Sequence, residues 1–264
     1  MSAVRLVAML AVVGCDSTYD PPERSFGNFG QSADGDTPLA ENGNSSEDVV
    51  GGPNDDPDGD GYTNAEEVGA GTNPNYEYSH PYTGDYRVGF CGTKPNPTGP
   101  TKSQTYASDD GFRYDYLSYQ QGDVADNFTM RDQYGEEVDL YSFCGKHIML
   151  VVGAGWCGPC QQEAAQLQSI AEAYPEAQIL QVLSQDSSYD HPSQGFIESW
   201  ASQFGFQNVA ALGSLSAPTT YDEYFSAPAS IFEDDGYIPT IYHLDETMKV
   251  LSADRGIQSP DTWL

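Results

Sequence analysis

Two cysteines three residues apart, Cys157 and Cys160, are the residues whose types and spacing most clearly indicate chemistry in this chain. They lie in the run Trp-Cys-Gly-Pro-Cys, which begins after a three-residue Gly-Ala-Gly link from the apolar residues 148–152. Two thiols at this spacing can close into a disulfide and open again, which is the chemistry of thiol-disulfide exchange. The motif therefore predicts a redox site where a buried strand gives way to a helix.

The expected helix assigns different roles to the two sulfurs. Cys157 lies at the helix N-terminus, where unpaired N–H groups and the positive end of the helix dipole favour a thiolate, so it is predicted to be the nucleophile. Cys160 lies one turn further along and is predicted to be the resolving thiol. A four-cysteine zinc site with Cys91 and Cys144 is the alternative, but those two lack the close second pair of a zinc ribbon.

Further pieces of sequence surround the motif. They are Asp126 to Asp132, Gly135, Val138, Leu140, Gly145, Lys146, Glu163 and the run Tyr237-Ile238-Pro239-Thr240-Ile241. With the motif, they make residues 123–264 resemble a thioredoxin-fold domain of the TlpA/ResA-like branch, which are membrane-tethered extracytoplasmic thiol-disulfide oxidoreductases. The resemblance implies an α/β, thioredoxin-like fold.

The resemblance also assigns site residues around the dithiol. Trp156, Ile238 and Pro239 are implied to bind substrate, with a cis bond before the proline placing backbone at Ile238 opposite the dithiol. Glu163 repeats the helical face of Cys160 and is implied to exchange protons with the thiols. A solvated glutamate on the helix surface and an ordinary trans proline are the alternatives.

The chain departs from related patterns at several places. Val151 stands where cytoplasmic thioredoxins have a buried aspartate, and Ala165 where the family helix has a kinking proline. Ala154 stands where thiol peroxidases have a threonine. Only one turn of chain follows Pro260 where the fold has a closing helix, so one sheet face is expected either to be covered by residues 85–120 or to be poorly closed.

Periodicity and turn residues predict the elements that position the site. They are a hairpin around Gly135, a strand at 148–152, the active-site helix to about Tyr174, a strand at 178–183, a helix at 193–204, and strands from Thr240 and Met248.

The N-terminal third has a different composition. Between Asp16 and His80 there are 15 acidic residues against one arginine, with many Gly, Asn, Pro and Ser. This composition cannot bury much apolar surface, so residues 16–84 are predicted to be a disordered acidic tether, and residues 85–122 a Tyr-rich extension.

Residues 56–67, within a repeat at 54–74, fit the twelve-residue calcium loop. The expected ligands are Asp56, Asp58, Asp60, the carbonyl group of Tyr62, and Glu67. Gly61 occupies the position of the sharp turn. Followed by Gly-Thr-Asn-Pro at 71–74, the loop resembles bacterial thrombospondin type 3 repeats. Calcium is expected to stiffen the tether rather than to catalyse, and a plain solvated acidic run is the alternative.

The first 15 residues resemble a lipoprotein signal peptide. A short basic start and eight apolar residues lead to Val-Val-Gly-Cys, similar to a lipobox that ends in the lipidated Cys15, and eight residues are too few to span a bilayer. Lipidation and the redox pair account for three of five cysteines. In an exported protein, Cys91 and Cys144 are then expected to form a structural disulfide, with two free buried thiols as the alternative.

The formal charge of −30 argues against binding to nucleic acid or to anionic lipid surfaces. The sequence is therefore interpreted as a lipid-anchored protein of the periplasm or cell exterior that reduces disulfides of exported proteins, with oxidation as the alternative direction. Its electrons are expected from a membrane thiol donor, with no redox cofactor. The alternatives are a thiol peroxidase and a calcium-binding surface protein whose thioredoxin domain only binds.

Overall fold

The computed structural model describes residues 49–91, 93–108, 111–219, 223, 227–232 and 236–256. The helices are α1 Asn64–Ala70, a 3-10 helix Leu140–Phe143, α2 Gly158–Ala173, α3 Gln194–Phe204 and α4 Pro228–Ile231. The strands are β1 Lys102–Ala107, β2 Arg113–Ser118, β3 Thr129–Arg131, β4 Glu137–Asp139, β5 His147–Gly153, β6 Ala177–Leu183, β7 Ala210–Leu212, β8 Thr240–Leu244 and β9 Val250–Arg255. The predicted signal peptide with Cys15, the tether up to residue 48 and residues 257–264 lie outside this part of the chain.

A five-stranded mixed sheet, in the order β7-β6-β5-β8-β9, forms the centre of the fold. β5 and β6 run parallel, as do β6 and β7, whereas β8 is antiparallel to β5 and to β9. β5 is an almost continuous apolar run because both of its faces are buried in the middle of the sheet. Its C-terminal end delivers the chain to α2 and therefore sets the position of the dithiol.

Alternate residues of β5 pack into two separate cores. Met149 and Val151 face α2 and α3, where they join Leu167 and Trp200. The other face carries a second core, whose largest fully buried members include Tyr119, Phe143, Phe232 and Tyr242. Tyr86 and Tyr119 belong to this second core, so residues 85–120 do contribute cover to that face of the sheet.

Two small hairpins flank the sheet. The β3–β4 hairpin turns at Gly135, whose φ of 84° suits a glycine, at the position that the sequence predicts. The β1–β2 hairpin, which pairs Lys102 with Ser118, was not predicted. Its side chains are mostly exposed, so it carries little of the apolar alternation that indicates a strand.

The N-terminal segment differs from the prediction for residues 49–84, which is the part of the predicted disordered tether that the structure describes. Here the chain forms the loop at 56–67 and α1, and then packs against the redox domain through tyrosines. The hydroxyl groups of Tyr82 and Ser142 lie 2.6 Å apart, and the Tyr82 ring stacks on Phe143 at 6.3 Å. Aromatic side chains supply the apolar area that the acidic composition lacks, and this explains the difference.

Residues 86–91 continue this packing across the sheet. The guanidinium group of Arg87 donates to the carbonyl oxygens of Ala171 and Ala177, at 2.8 and 3.2 Å, and so satisfies acceptors at the C-terminal end of α2 and the start of β6. Cys91 and Cys144 form a disulfide with a Cα–Cα distance of 5.1 Å, three residues before β5 begins. Within the described residues, no helix combines the length and apolar character needed to cross a membrane.

Candidate functional site

The dithiol lies where β5 meets α2. Cys157 is the N-cap of α2, and Pro159 occupies its first turn, where no N–H is required. Cys157 and Cys160 form a disulfide with a Cα–Cα distance of 5.2 Å, and Sγ of Cys157 accepts a hydrogen bond from the main-chain N–H of Cys160 at 3.2 Å. Cys157 retains 4% exposure and Cys160 none, so an incoming group can reach only the outer sulfur.

The loop before β8 lies against this outer sulfur. The Ile238–Pro239 peptide bond is cis, and the carbonyl oxygen of Ile238 lies 3.8 Å from Sγ of Cys157. The Ile238 side chain packs on the small cluster of Ala154 and the two cysteines. The structure thus brings Ile238, Pro239, Cys157 and Cys160 together. Ala154 places a methyl group, and no hydroxyl, beside the sulfurs.

Three exposed aromatic side chains lie on or against the segments that carry Cys157 and Ile238, and we call them the aromatic rim: Trp156, Tyr189 and Tyr237. Trp156 is 39% exposed and stacks on Tyr189 with ring centroids 4.9 Å apart, while its indole N–H donates to Oε1 of Gln185 at 3.0 Å. Tyr237, 59% exposed, immediately precedes Ile238 in the chain, and the guanidinium group of Arg255 lies 4.2 Å from its ring centroid. Sequence reasoning identified Trp156 but missed both tyrosines, because their placement depends on loop geometry.

Glu163 lies one turn beyond Cys160 on the inner side of α2 and is fully buried. Among the described residues, neither carboxyl oxygen has a hydrogen-bond partner. Burial without a partner disfavours the charged form and raises the pKa of Glu163 to about 7. The side chain is therefore a buried proton acceptor near neutral pH, which differs from the solvated glutamate that was the alternative.

Gln181, on β6, also faces this region and was missed by sequence reasoning. It pairs in register with Val151 on the side of the sheet that faces α2, and it is fully buried. The signal in the sequence is a pair of glutamines, at 178 and 181, inside an otherwise apolar strand. Its meaning requires the register of β5 and β6, which the sequence alone does not give.

The loop at 56–67 forms a second, separate candidate site. Carboxylate oxygens of Asp56, Asp58 and Asp60 lie within 4.8 Å of one another. Asp56 accepts from the N–H groups of Gly59 and Gly61, at 2.7 and 3.1 Å, which folds the loop around its own carboxylates. Gly61 has a φ of 99°, a conformation that glycine adopts without strain.

Several oxygens in this loop are buried with no hydrogen-bond partner in the described part of the chain. They are Oδ1 and Oδ2 of Asp58, Oδ2 of Asp60, Oδ1 of Asn64 and Oε2 of Glu67. Asn64 was not among the predicted ligands; its amide N–H groups donate to the carbonyl oxygens of Val50 and Gly52, which leaves Oδ1 without a partner. Oxygen atoms of this kind are the ligands that Ca²⁺ prefers.

The charges of the loop repel one another. Burial together with the neighbouring carboxylates raises the pKa of Glu67 to about 8 and that of Asp58 to about 6. A fully buried glutamate beside three aspartates is unfavourable unless a cation balances the charge. The residues therefore fit a divalent cation, with Asp56, Asp58, Asp60, Glu67 and the Tyr62 carbonyl group as the expected ligands.

Two family models match this chain. Residues 98–208 match the AhpC/TSA family, and residues 56–75 match the bacterial TSP3 repeat. The α/β, thioredoxin-like fold predicted from the sequence is confirmed.

Curated relatives match the redox domain. Thiol-disulfide oxidoreductase ResA of Bacillus thuringiensis subsp. konkukian (strain 97-27) is 24% identical over 106 residues, which cover 38% of this chain and 61% of ResA. Thioredoxin-like protein YneN of Bacillus subtilis (strain 168) is 23% identical over 145 residues, 55% of this chain and 81% of YneN. The chain thus spans about three fifths of the length of that ResA.

The solved structures that are similar to this chain include a putative thiol:disulfide interchange protein DsbE from Chlorobium tepidum. It is 23% identical, with a TM-score of 0.40, and the match covers 55% of this chain and 92% of that protein. The family matches and the curated relatives point the same way: the redox domain is similar to thioredoxin-fold proteins of the TlpA/ResA-like branch, and the N-terminal part matches a bacterial TSP3 repeat.

Proposed function

We propose that this protein is a thiol-disulfide oxidoreductase that reduces disulfides of exported proteins through Cys157 and Cys160. One observation carries the proposal: the outer sulfur of a helix-capping disulfide lies beside the Ile238 carbonyl group, and the inner sulfur is buried close to the buried acid Glu163. The ResA relative is named a thiol-disulfide oxidoreductase, which supports the same chemistry, and the YneN relative is named a thioredoxin-like protein.

The reaction follows from this asymmetry. In the reduced protein, the Cys157 thiolate attacks a substrate disulfide; a bond forms between the two sulfurs, and the second substrate sulfur leaves as a thiolate. Glu163 then takes the proton of the Cys160 thiol, and the resulting thiolate attacks Sγ of Cys157. The remaining substrate thiolate is released, two electrons have passed to the substrate, and the Cys157–Cys160 disulfide is restored.

The surface around Cys157 suits an extended polypeptide. The backbone at Ile238 and Pro239 can pair with the main chain of a substrate segment, and the aromatic rim offers exposed rings on the segments next to it. A substrate segment with apolar or aromatic residues beside its cysteine would bury those rings. Trp156, Ile238 and Pro239 are therefore proposed as substrate-binding residues, with Tyr189 and Tyr237 added by the structure.

The proposal also places the protein outside the cytosol, in an oxidising compartment. The Cys91–Cys144 disulfide supports it, because structural disulfides persist mainly outside the cytosol. The lipobox-like sequence ending at Cys15 would anchor the protein to a membrane, and a membrane thiol donor would return electrons to the dithiol. The Gly-Pro dipeptide between the cysteines resembles that of reducing thioredoxins and favours the reducing direction.

Calcium binding to the loop at 56–67 is a separate part of the proposal. The unpartnered buried oxygens and the raised pKa values of Asp58 and Glu67 support a bound cation there. The ion would neutralise the carboxylates and hold the loop against α1, and it would take no part in sulfur chemistry.

Insulin reduction by dithiothreitol tests the redox function. The wild-type protein should accelerate the reaction, and Cys157→Ser should abolish the acceleration while the protein remains folded. Peroxide consumption, measured in parallel, should stay at the background rate, because Ala154 offers no hydroxyl group to a bound peroxide. Peroxide turnover without insulin reduction would favour a thiol peroxidase. The absence of both activities would favour a domain that only binds.

A further inference from the structure

Gln181 has a buried donor group that no contact in the oxidised protein uses. Its Oε1 accepts a hydrogen bond from the indole N–H of Trp200 at 3.1 Å, which fixes the orientation of the amide. The Nε2 group therefore faces the opposite way, and in the described part of the chain it has no hydrogen-bond partner although the side chain is fully buried. A buried amide donor without a partner is costly and calls for an explanation.

The unused donor lies near the inner sulfur of the dithiol. A methyl group built on Gly153 would lie 3.3 Å from Sγ of Cys160 and 3.6 Å from Nε2 of Gln181. The two atoms therefore border the same narrow space, and the absence of a side chain at Gly153 keeps that space open. While the disulfide is closed, Sγ of Cys160 is bonded to Sγ of Cys157 and is a poor acceptor.

We propose that Gln181 donates a hydrogen bond from Nε2 to the Cys160 thiolate once the disulfide opens. The inference deepens the proposed redox function and rests on it only in requiring that the Cys157–Cys160 bond can open. A thiol reductant supplies two electrons and is itself oxidised to a disulfide; Cys157 is left as a thiolate, and Cys160 takes up a proton and becomes a thiol. Glu163 then accepts that proton, and the negative charge left on Sγ of Cys160 gains the Gln181 amide as a partner. Hydrogen bonds to charged groups are the strong ones, so the amide stabilises the reduced state more than the oxidised state.

This arrangement explains two unpartnered groups at once. Glu163, with no partner for its carboxyl oxygens in the described residues, serves as the proton acceptor, and Gln181 stabilises the charge that the proton leaves behind. Val151, in register with Gln181, occupies the position where cytoplasmic thioredoxins carry a buried aspartate. Glu163 of α2 thus accepts the proton of the inner thiol, and Gln181 of β6 stabilises the resulting thiolate.

The equilibrium between the full-length protein and glutathione tests the proposal. Gln181→Met keeps the volume and removes the donor, so it should shift the equilibrium about tenfold toward the disulfide, which corresponds to a reduction potential about 30 mV more negative. Gln178→Met is the matched control: it lies on the same strand and is equally buried, but its Nε2 already donates to the carbonyl oxygens of Ile179 and Asn208. It should leave the equilibrium unchanged.

A second measurement separates this role from a structural one. In a Cys157→Ser background, the pH at which Cys160 alkylation reaches half of its maximal rate should rise when Gln181 is replaced, because the Cys160 thiolate has lost its hydrogen-bond donor. Gln181→Asn, whose amide is one methylene shorter, should shift both readouts in the same direction if the methionine variant does not fold. Equal shifts for Gln178→Met, or no shift for either Gln181 variant, would overturn the proposal.

The outcome is distinguishable from a failure of the proposed function. If wild-type protein does not reduce insulin, the substrate assignment is wrong, yet the glutathione equilibrium still reports the effect of Gln181 on the dithiol.

Discussion

The main-chain N–H of Cys160 points at Sγ of Cys157 and donates to it over 3.2 Å. It is one of the first unpaired N–H groups of α2, so the outer sulfur receives both a hydrogen bond and the positive end of the helix dipole. The inner sulfur, in contrast, is completely buried. This relationship makes the two thiols of the reduced protein chemically unequal.

We therefore expect alkylation of the reduced protein to label Cys157 before Cys160. The thiolate is the nucleophile, and only Cys157 is both stabilised as a thiolate and accessible. Peptide mapping after brief treatment with iodoacetamide measures the order, with Cys157→Ser and Cys160→Ser as controls. Labelling of Cys160 first would reverse the assigned roles.

Replacement of Glu163 by glutamine should slow disulfide exchange and change its pH dependence. The carboxyl group, with a pKa raised to about 7 by burial, accepts the Cys160 proton most effectively near neutral pH, and an amide cannot accept it. We expect a loss of roughly 10² in rate, the lower end of typical proton-transfer contributions. Insulin reduction from pH 5 to 9 measures it, and an unchanged pH profile at full rate would exclude this role.

Glu163 should also make the stability of the oxidised protein pH-dependent. The folded state keeps the proton up to about pH 7, whereas the unfolded chain loses it above the ordinary value of 4.5. The folded state thus binds more protons between these values, so the free energy of unfolding falls as pH rises through this window and levels off above it. The difference between wild type and Glu163→Gln should change by at most about 3 kcal/mol across the window.

Urea unfolding at several pH values measures that difference. Calcium should be saturating throughout, because Glu67 also has a raised pKa and would otherwise add its own pH dependence. A constant difference between the two proteins from pH 4.5 to 7 would show that Glu163 is already charged.

Calcium should bind the full-length protein once and stabilise it. Loops of this kind in extracellular modules bind at about 0.1 to 1 mM, so 10 mM calcium should add roughly 1.4 to 2.7 kcal/mol to the free energy of unfolding. Calorimetry and thermal unfolding measure both quantities. We expect insulin reduction at 25 °C to be unaffected.

Neighbouring glutamates provide a matched pair of variants for the calcium site. Glu67→Gln removes a buried carboxylate from the loop and should abolish binding. Glu66, in contrast, is not among the expected ligands and accepts from Thr63 in a capping box, a role that glutamine can also fill. Glu66→Gln should therefore bind calcium as the wild type does. Equal loss in both variants would indicate an unspecific effect of acidic charge.

Loss of the Cys91–Cys144 disulfide should destabilise the protein without blocking exchange. Its sequence separation of 53 residues corresponds to about 4 kcal/mol in the chain-entropy model. The double variant Cys91→Ala, Cys144→Ala should lose about that much free energy of unfolding in urea. If the double variant still reduces insulin at urea concentrations below its unfolding midpoint, the Cys91–Cys144 bond has a structural role. Loss of activity in the folded double variant would contradict that role.

Much of the redox domain could be predicted from the sequence because its signals are local. Apolar runs gave β5 and β6, the cysteine motif placed the start of α2, and Ser193 marked the N-cap of α3. The hairpin at Gly135 followed from a glycine between two short alternating segments. These features depend on nearby residues only.

The remaining features depend on contacts between distant residues. β7 has only three residues, too few to show a period, and Gln181 gains meaning only from its register with Val151. Tyr78 and Tyr82 fall within the predicted acidic tether, because composition alone does not reveal that their rings meet Tyr141 and Phe143. Acidic composition indicated disorder, and tertiary packing prevailed in residues 49–84.

The position of the Cys91–Cys144 bond has a mechanical consequence. Tension applied to the chain before residue 91 would cross the disulfide to Cys144 and enter β5 three residues later. Residues 92–143 form the closed loop between the two cysteines and would bear none of that load. A pull on the N-terminal segment would thus reach the central strand through a covalent bond, and the hairpins of that loop would keep their shape under force.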